Sequence, residues 1–217
     1  MKTGVSNCPL CSDPDTGAFS KDKFRSFRKC RACGLIFVPR AELISTQDEK
    51  LRYDAHQNSE ADEGYQLYLD TTAAALAKLL PRNSRGLDFG CGRTTILANK
   101  LTRLGHETDS YDVFFQKDET IWKKKFDFIV LSEVIEHLRE PREEMERLSG
   151  LLNPEGLIFI KTKFAPETLT AFENWFYKRD ITHVQFFGVR SMESLREILR
   201  MKDFEVLELD LSLFRHY

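Results

Sequence analysis

Three groups of residues in this 217-residue chain have the types and spacing to do chemistry. Four of the five cysteines form two pairs, Cys8 with Cys11 and Cys30 with Cys33, in a C-x2-C-x18-C-x2-C pattern. A CxxC turn presents two soft thiolates to one side of an ion, so two such turns complete the tetrahedron of a structural zinc site. Lys29 and Arg31 flank the second pair and favour its ionised form. The second group is the glycine turn Asp88-Phe-Gly90-Cys-Gly92. Its glycines permit a tight turn and close backbone approach to a ligand. Asp112 stands 24 residues after Asp88, where a carboxylate can accept both hydroxyls of a ribose. The third group is Glu133, Glu136 and His137, at i, i+3 and i+4, with His183 further on. On a helix the first three share one face. Two carboxylates and two imidazoles can ligate a divalent cation such as Mg2+ or Mn2+, or an imidazole can act alone as general base. The plain structural reading of the set is a carboxylate bonded to backbone beside a packed core histidine.

The elements around these residues are readable in outline. After Cys33, Gly-Leu-Ile-Phe-Val-Pro39 is an apolar strand. A segment of about 40 residues can hardly build its own core, so bound metal must supply folding energy. The arrangement resembles a zinc ribbon. Paired disulfides fit poorly, because nothing at the N-terminus reads as a secretion signal. Residues 70–80 form a strong helix by propensity, stopped at Pro81. Upstream, Tyr53, His56, Asn58 and Tyr65 form a candidate lid. Leu87–Phe89 is a short strand, 95–104 a helix ending at Gly105, and 105–112 a second strand. Strand, glycine turn and helix form the layout that cradles a nucleotide-like cofactor. Residues 125–132 are an apolar strand running into a helix that begins Glu-Val-Ile-Glu-His. A helix over 142–152, a strand over 153–161, an amphipathic helix over 191–201 and a final strand over 204–213 follow, the last alternating Val206, Leu209, Leu211 and Leu213.

LDFGCG followed by a helix resembles the first motif of class I S-adenosylmethionine-dependent methyltransferases. The strand over 125–132 and the strand entered through Asn153-Pro-Glu-Gly are similar to the fourth and fifth strands of that superfamily. A dinucleotide-binding dehydrogenase would read GxGxxG without an acid just before the turn. The resemblance implies an α/β fold, a Rossmann-like doubly wound methyltransferase sheet with the cofactor, S-adenosyl-L-methionine, across the C-terminal ends of its strands. It implies that Gly90 and Gly92 approach the methionine part, that Asp88 orients the turn, that Asp112 holds the ribose, and that Ser132 and Glu133 border the methyl group. The Glu-x-x-Glu-His run with a later His is similar to small-RNA 2′-O-methyltransferases and to ubiquinone-pathway O-methyltransferases. Two departures stand out. Thr94 replaces the family's third glycine, and only 13 residues separate Asp112 from Phe126, where the family fits a helix and a third strand. Asp118 or Glu119 is then the acid for the adenine amine, or the adenine lies on Phe114 or Trp122. Trp175, Phe176, Tyr177, Phe186 and Phe187 either wall an acceptor pocket or form the apolar floor of the loop carrying His183.

The chain divides in this reading into a ribbon at 1–40, a helical linker or cap at 41–80 and a methyltransferase domain at 81–217. Its composition, 41% hydrophobic and 30% charged, suits a packed core. No apolar run reaches the ~20 residues of a membrane span, so a soluble, cytoplasmic protein is expected. Residues 1–40 carry eight Lys and Arg against three Asp, and the remainder 24 against 31 acids. The basic ribbon is either a grip on RNA or a solvated module. A small-molecule hydroxyl is the expected methyl acceptor, RNA and a non-catalytic scaffold being the alternatives.

Overall fold

Whether a strand is buried on one face or both is set by its pattern of apolar residues. The computed structural model describes residues 7–55, 62–207 and 210–217. The N-terminal part contains β1 (Thr16–Lys21), β2 (Ser26–Cys30) and β3 (Ile36–Phe37), followed by α1 (Thr46–Ala55) and α2 (Glu63–Ala77). Helix α2 begins earlier than its propensity core because Asp62 caps it, accepting from the Tyr65 amide at 3.0 Å. Next come β4 (Gly86–Phe89), α3 (Ile96–Arg103), β5 (Thr108–Tyr111), β6 (Phe126–Ser132), α4 (Pro141–Ser149) and β7 (Leu152–Lys161). The chain continues through α5 (Leu169–Asn174), β8 (Gln185–Phe186), α6 (Val189–Ile198), β9 (Asp203–Val206) and β10 (Leu211–Arg215).

The large sheet has the order β5-β4-β6-β7-β10-β9. The first four strands are parallel, and β10 runs antiparallel to both β7 and β9. Strand β6 is apolar on both sides. Its Phe128 and Val130 pack with Leu69 and Leu76 of α2 and Leu97 and Leu101 of α3. Its Ile129 and Leu131 pack on the opposite face with Met145 and Leu148 of α4 and Met192 and Leu195 of α6. This two-sided burial is the doubly wound α/β arrangement expected from the sequence. Met192 and Leu195 of α6 belong to the same buried cluster as Cys8, Cys30, Cys33 and Leu35, so the cysteine region and the large sheet share one core.

Two expectations are corrected. The single last strand over 204–213 is a hairpin of β9 and β10. A left-handed Asp210 (φ 60°) and a bond from the Leu207 amide to the Leu211 carbonyl turn the chain in the middle of what reads as one alternation. Leu209 lies outside the described residues. Between Asp112 and Phe126 there is no third strand; the chain makes an Asp112–Gln116 bridge and a 3-10 turn over Glu119–Lys123.

The four-stranded N-terminal sheet takes its last strand from elsewhere: β1, β2 and β3 are joined by β8, with Ile36 opposite Phe186 and Phe37 opposite Gln185. Among the described residues no helix is long and apolar enough to cross a membrane. Phe128 is fully buried at the centre of one face. Phe128→Ala is expected to destabilise the protein by about 3–5 kcal/mol in urea unfolding, through lost burial and the cavity left between α2, α3 and β6.

Candidate active site

A cleft of about 600 Å³ opens at the C-terminal ends of β4, β5 and β6. Its floor is the glycine turn. Gly90 has φ +78°, and a Cβ there would lie 2.5 Å from a Val134 methyl; Gly92 has φ +67°. A side chain at Gly90 therefore meets both a backbone penalty and a clash. Asp112 pins this turn to the end of β5. Its carboxylate accepts from the Gly92 amide at 3.0 Å, the Phe114 amide at 2.8 Å and the Phe115 amide at 3.1 Å. Oδ1 takes both the Phe114 and Phe115 amides, so Oδ2, which takes only the Gly92 amide, keeps a lone pair for a further donor. Asp88 is buried at the same end, and burial pushes its carboxyl up to about 7, with the neighbouring Asp112 charge adding to the shift. Aromatic rings wall this half: Tyr65, Tyr111, Phe114 and Trp122 line the cleft, with Phe89 stacked on Tyr111 at 5.4 Å. Asp118 and Glu119 do not line it. Asp118 instead caps the following turn, accepting from the Thr120 amide at 2.9 Å.

The other half is built where β6 ends. The predicted helix through Glu133, Glu136 and His137 is not formed. Glu133 adopts a left-handed backbone (φ 55°), only Ile135–His137 make a 3-10 turn, and α4 starts at Pro141. A non-glycine residue in that region stores about 1–3 kcal/mol of strain, as functional sites often do. The turn still gathers the predicted groups by another route. Tyr177 donates to Glu133 at 2.8 Å, its hydroxyl also bonds Glu136, and it contacts the Thr162 hydroxyl at 3.2 Å. Burial raises both glutamates above the usual carboxylate range, and the charge of Glu136 adds to the shift of Glu133. Glu136 is 1% exposed and does not line the cleft.

The imidazoles of His137 and His183 lie 4.7 Å apart, and both line the cleft with Ser132, Glu133 and Asp180. His137 Nδ1 contacts the Thr182 carbonyl at 3.0 Å, and His183 Nδ1 contacts the Tyr177 carbonyl at 2.8 Å. A carbonyl only accepts, so both rings carry their proton on Nδ1 and keep Nε2 as the basic nitrogen. Glu136, His137 and His183 each offer an atom within 4.8 Å of the others. Burial and the adjacent His137 hold His183 down to about 4, against the opposing influence of Asp180.

Helix α1 covers this end: Thr46, Glu49 and Tyr53 line the cleft, and Glu49 accepts from Arg139 at 2.6 Å. Tyr53 and Tyr65 of the candidate lid thus face the cleft, while His56 and Asn58 lie outside the described residues. Trp175, Tyr177 and Phe186 pack with Phe27 and Phe172 as the apolar floor, and Phe176 is exposed. Sequence reasoning missed Arg139, Tyr68 (whose hydroxyl meets Ser132 at 2.8 Å) and the bridging role of Tyr177. No spacing rule marks them, because each reaches the site from a separate element. Asp180 carried a signal in Asp-Ile-Thr-His.

The four N-terminal thiols also converge. Cys8 and Cys33 sulfurs are 3.5 Å apart and Cys11 and Cys30 sulfurs 3.6 Å; all four lie within 4.8 Å of one another, with no disulfide.

A methyltransferase domain model matches residues 57–209. The chain belongs to this methyltransferase domain family, and its fold is that of the class I S-adenosylmethionine-dependent enzymes. It is similar to the Burkholderia thailandensis 1,6-didemethyltoxoflavin-N1-methyltransferase solved with its substrate and S-adenosylhomocysteine, at 12% identity over 92% of this chain and 98% of that one, TM-score 0.56. An O-methyltransferase family protein from the same organism matches at 13% identity over 77% of this chain and 62% of that one, TM-score 0.53. A methyltransferase of calicheamicin biosynthesis matches at 15% over 80% and 61%, TM-score 0.53. The chain therefore spans less than two thirds of the length of the last two, and at such identities the likeness is one of fold. None of the curated proteins matches the sequence.

His183 carries a pH prediction. Its folded pKa, about 4, lies below the ordinary 6.5, so the unfolded chain binds more protons between these values and stability falls as pH falls. Between pH 7 and pH 4 the native protein should lose about 2–3 kcal/mol more than His183→Gln in denaturant titrations, a difference that vanishes above pH 7.

Proposed function

We propose that this chain transfers the methyl group of S-adenosylmethionine to an oxygen or nitrogen of a small-molecule acceptor. The observation that carries the reading is the glycine turn locked by Asp112 on the floor of an aromatic-walled cleft. The residues fit the donor: Gly90 and Gly92 leave room against the backbone, and Asp112 offers its remaining Oδ2 lone pair to a ribose hydroxyl. Phe114 and Trp122 supply faces for an adenine, and Asp88 steadies the turn. When bound, S-adenosylmethionine supplies an already activated sulfonium methyl. The chain's own task is orientation and exclusion of water. Ser132 and Glu133 border the methyl end, and Tyr53 of α1 closes over it. His137 and His183 present Nε2 toward the acceptor, where a neutral imidazole can receive its proton. Glu136 serves from behind, holding Tyr177 in place. A cation on Glu136, His137 and His183 is the alternative use of the same atoms; two imidazoles suit Mn2+ better than Mg2+.

The electrostatics favour a neutral or cationic acceptor over RNA. Asp180 lines the acceptor end with its carboxylate kept ionised by bonds from Thr182, while Glu49 and Glu140 are answered by Arg139 and Arg40. The positive excess of the ribbon is largely engaged within the protein. Arg25 is buried, Arg28 donates to the Thr16 carbonyl, Arg31 pairs with Asp15 and Arg40 with Glu140.

For the thiol cluster we propose one structural zinc ion held by Cys8, Cys11, Cys30 and Cys33. Four sulfurs at bonds of 2.3 Å stand about 3.8 Å from one another in a tetrahedron, close to the two separations found here.

Calorimetry should show binding of S-adenosylhomocysteine and none of NAD. Asp112→Ala should weaken it by about 1–3 kcal/mol, the cost of an unpaired hydroxyl and a loosened turn. NAD binding, or unchanged affinity in the variant, would sink the assignment. Elemental analysis should give about one zinc per chain, lost in Cys8→Ser. Metal-free protein with a native ribbon would refute the zinc site.

A further inference from the structure

The hairpin turn between β1 and β2 reaches across to the segment that carries Asp180 and His183. Arg25, at the end of that turn, is 3% exposed. Its guanidinium donates to four backbone carbonyls of a single loop. One terminal nitrogen donates to Ile181 at 2.9 Å and His183 at 2.7 Å, and the other to Lys178 at 2.6 Å and Asp180 at 2.7 Å. The third face of the fork stands 3.7 Å from Asp22. The turn presenting Arg25 is itself braced: the Asp22 carboxylate accepts from the Phe24 amide at 2.8 Å and the Arg25 amide at 2.9 Å.

We propose that Arg25 is the positioning residue of the acceptor site, and that through it the ribbon shapes the loop bearing Asp180 and His183. Four carbonyl dipoles converging on one point repel each other unless a cation with several donors sits among them. A buried carbonyl left unpaired costs free energy each time. Arginine alone among side chains offers five donors in a fixed planar fork; a lysine ammonium offers three from a point. The loop therefore holds its shape only around this guanidinium. Its continuation is clamped from both sides in the same way. The Val38 amide donates to the Val184 carbonyl, the Val184 amide donates to the Glu136 carbonyl, and β8 pairs with β3. One set of contacts thus ties the cysteine region, the 178–187 segment and the turn holding Glu136 and His137. The cofactor half of the cleft, from Gly90 to Phe115, makes none of these bonds. The significance for the acceptor rests on the function proposed above; the clamp itself does not.

Amide hydrogen exchange on the full-length, zinc-replete chain tests this without knowledge of the acceptor. In Arg25→Ala the amides of Thr182, His183 and Val184 should exchange at least about tenfold faster, while those of Gly92, Phe114 and Phe115, bonded to Asp112, stay within about twofold. Ethylguanidine in the millimolar range should refill the space and restore protection, a rescue that a general loss of stability would not show. S-adenosylhomocysteine affinity should be retained. Unchanged exchange at 182–184, equal acceleration at both sets, or no rescue overturns the proposal. If Arg25→Ala does not fold, Arg25→Lys keeps the charge and loses the fork. The same selective loosening is expected there, and native protection or loss at both sets overturns the proposal. Failure of the clamp is thus distinct from failure of the methyltransferase reading, which would show as absent S-adenosylhomocysteine binding in the native chain.

Discussion

Strand β6 is apolar on both faces, and this one constraint organises the molecule. Phe128 and Val130 point to one helical layer and Ile129 and Leu131 to the other, so neither face can be left in water. The polar groups of the central strands can then emerge only at their ends. Ser132 and Glu133 follow Leu131 at the point where the sheet stops, as Asp112 follows Tyr111 on β5. The cleft is the place where a doubly buried parallel sheet runs out of partners for its chain ends.

Burial also sets the chemistry. The cleft gathers several carboxyl groups, and the surrounding aromatic rings and the sheet exclude water from them. Asp88, Glu133 and Glu136 are pushed toward the neutral form, while His183 is pushed away from the charged form. The same low-dielectric setting that disfavours charge favours a neutral imidazole at His183. Tyr177 ties Glu133 to Glu136, so the left-handed turn at Glu133 is held by side chains as well as by the Glu133 amide bond to the Lys161 carbonyl. A strained backbone persists only under such over-determination.

The N-terminal region is too small to stand by its own packing, and the structure meets that shortage in two ways. Four thiols converge as the ligand set of the zinc proposed above, and β3 borrows β8 from a distant part of the chain. Sharing a strand and a core couples the cysteine region to the large sheet far more tightly than a flexible linker would.

Patterns repeated along the chain were legible without a structure. The CxxC pairs, the Asp-x-Gly-x-Gly turn after a strand and the apolar runs of β6 and β7 are local, and the physics that reads them is local too: ligand spacing, positive φ and two-sided burial. The same is true of Asp112, whose place at the end of a strand sets it beside the glycine turn. Tertiary structure alone decided the rest. The Glu-x-x-Glu-His run reads as a helix by spacing, yet a left-handed Glu133 and Pro141 leave only a 3-10 turn, and Tyr177 does the gathering instead. The last alternation reads as one strand, yet Asp210 folds it into a hairpin, because alternation is the same on either side of a turn. Arg25 looks like one more surface cation in a basic segment. That it fills a crown of carbonyls more than 150 residues away depends on how two distant loops meet, and no local pattern encodes such a meeting.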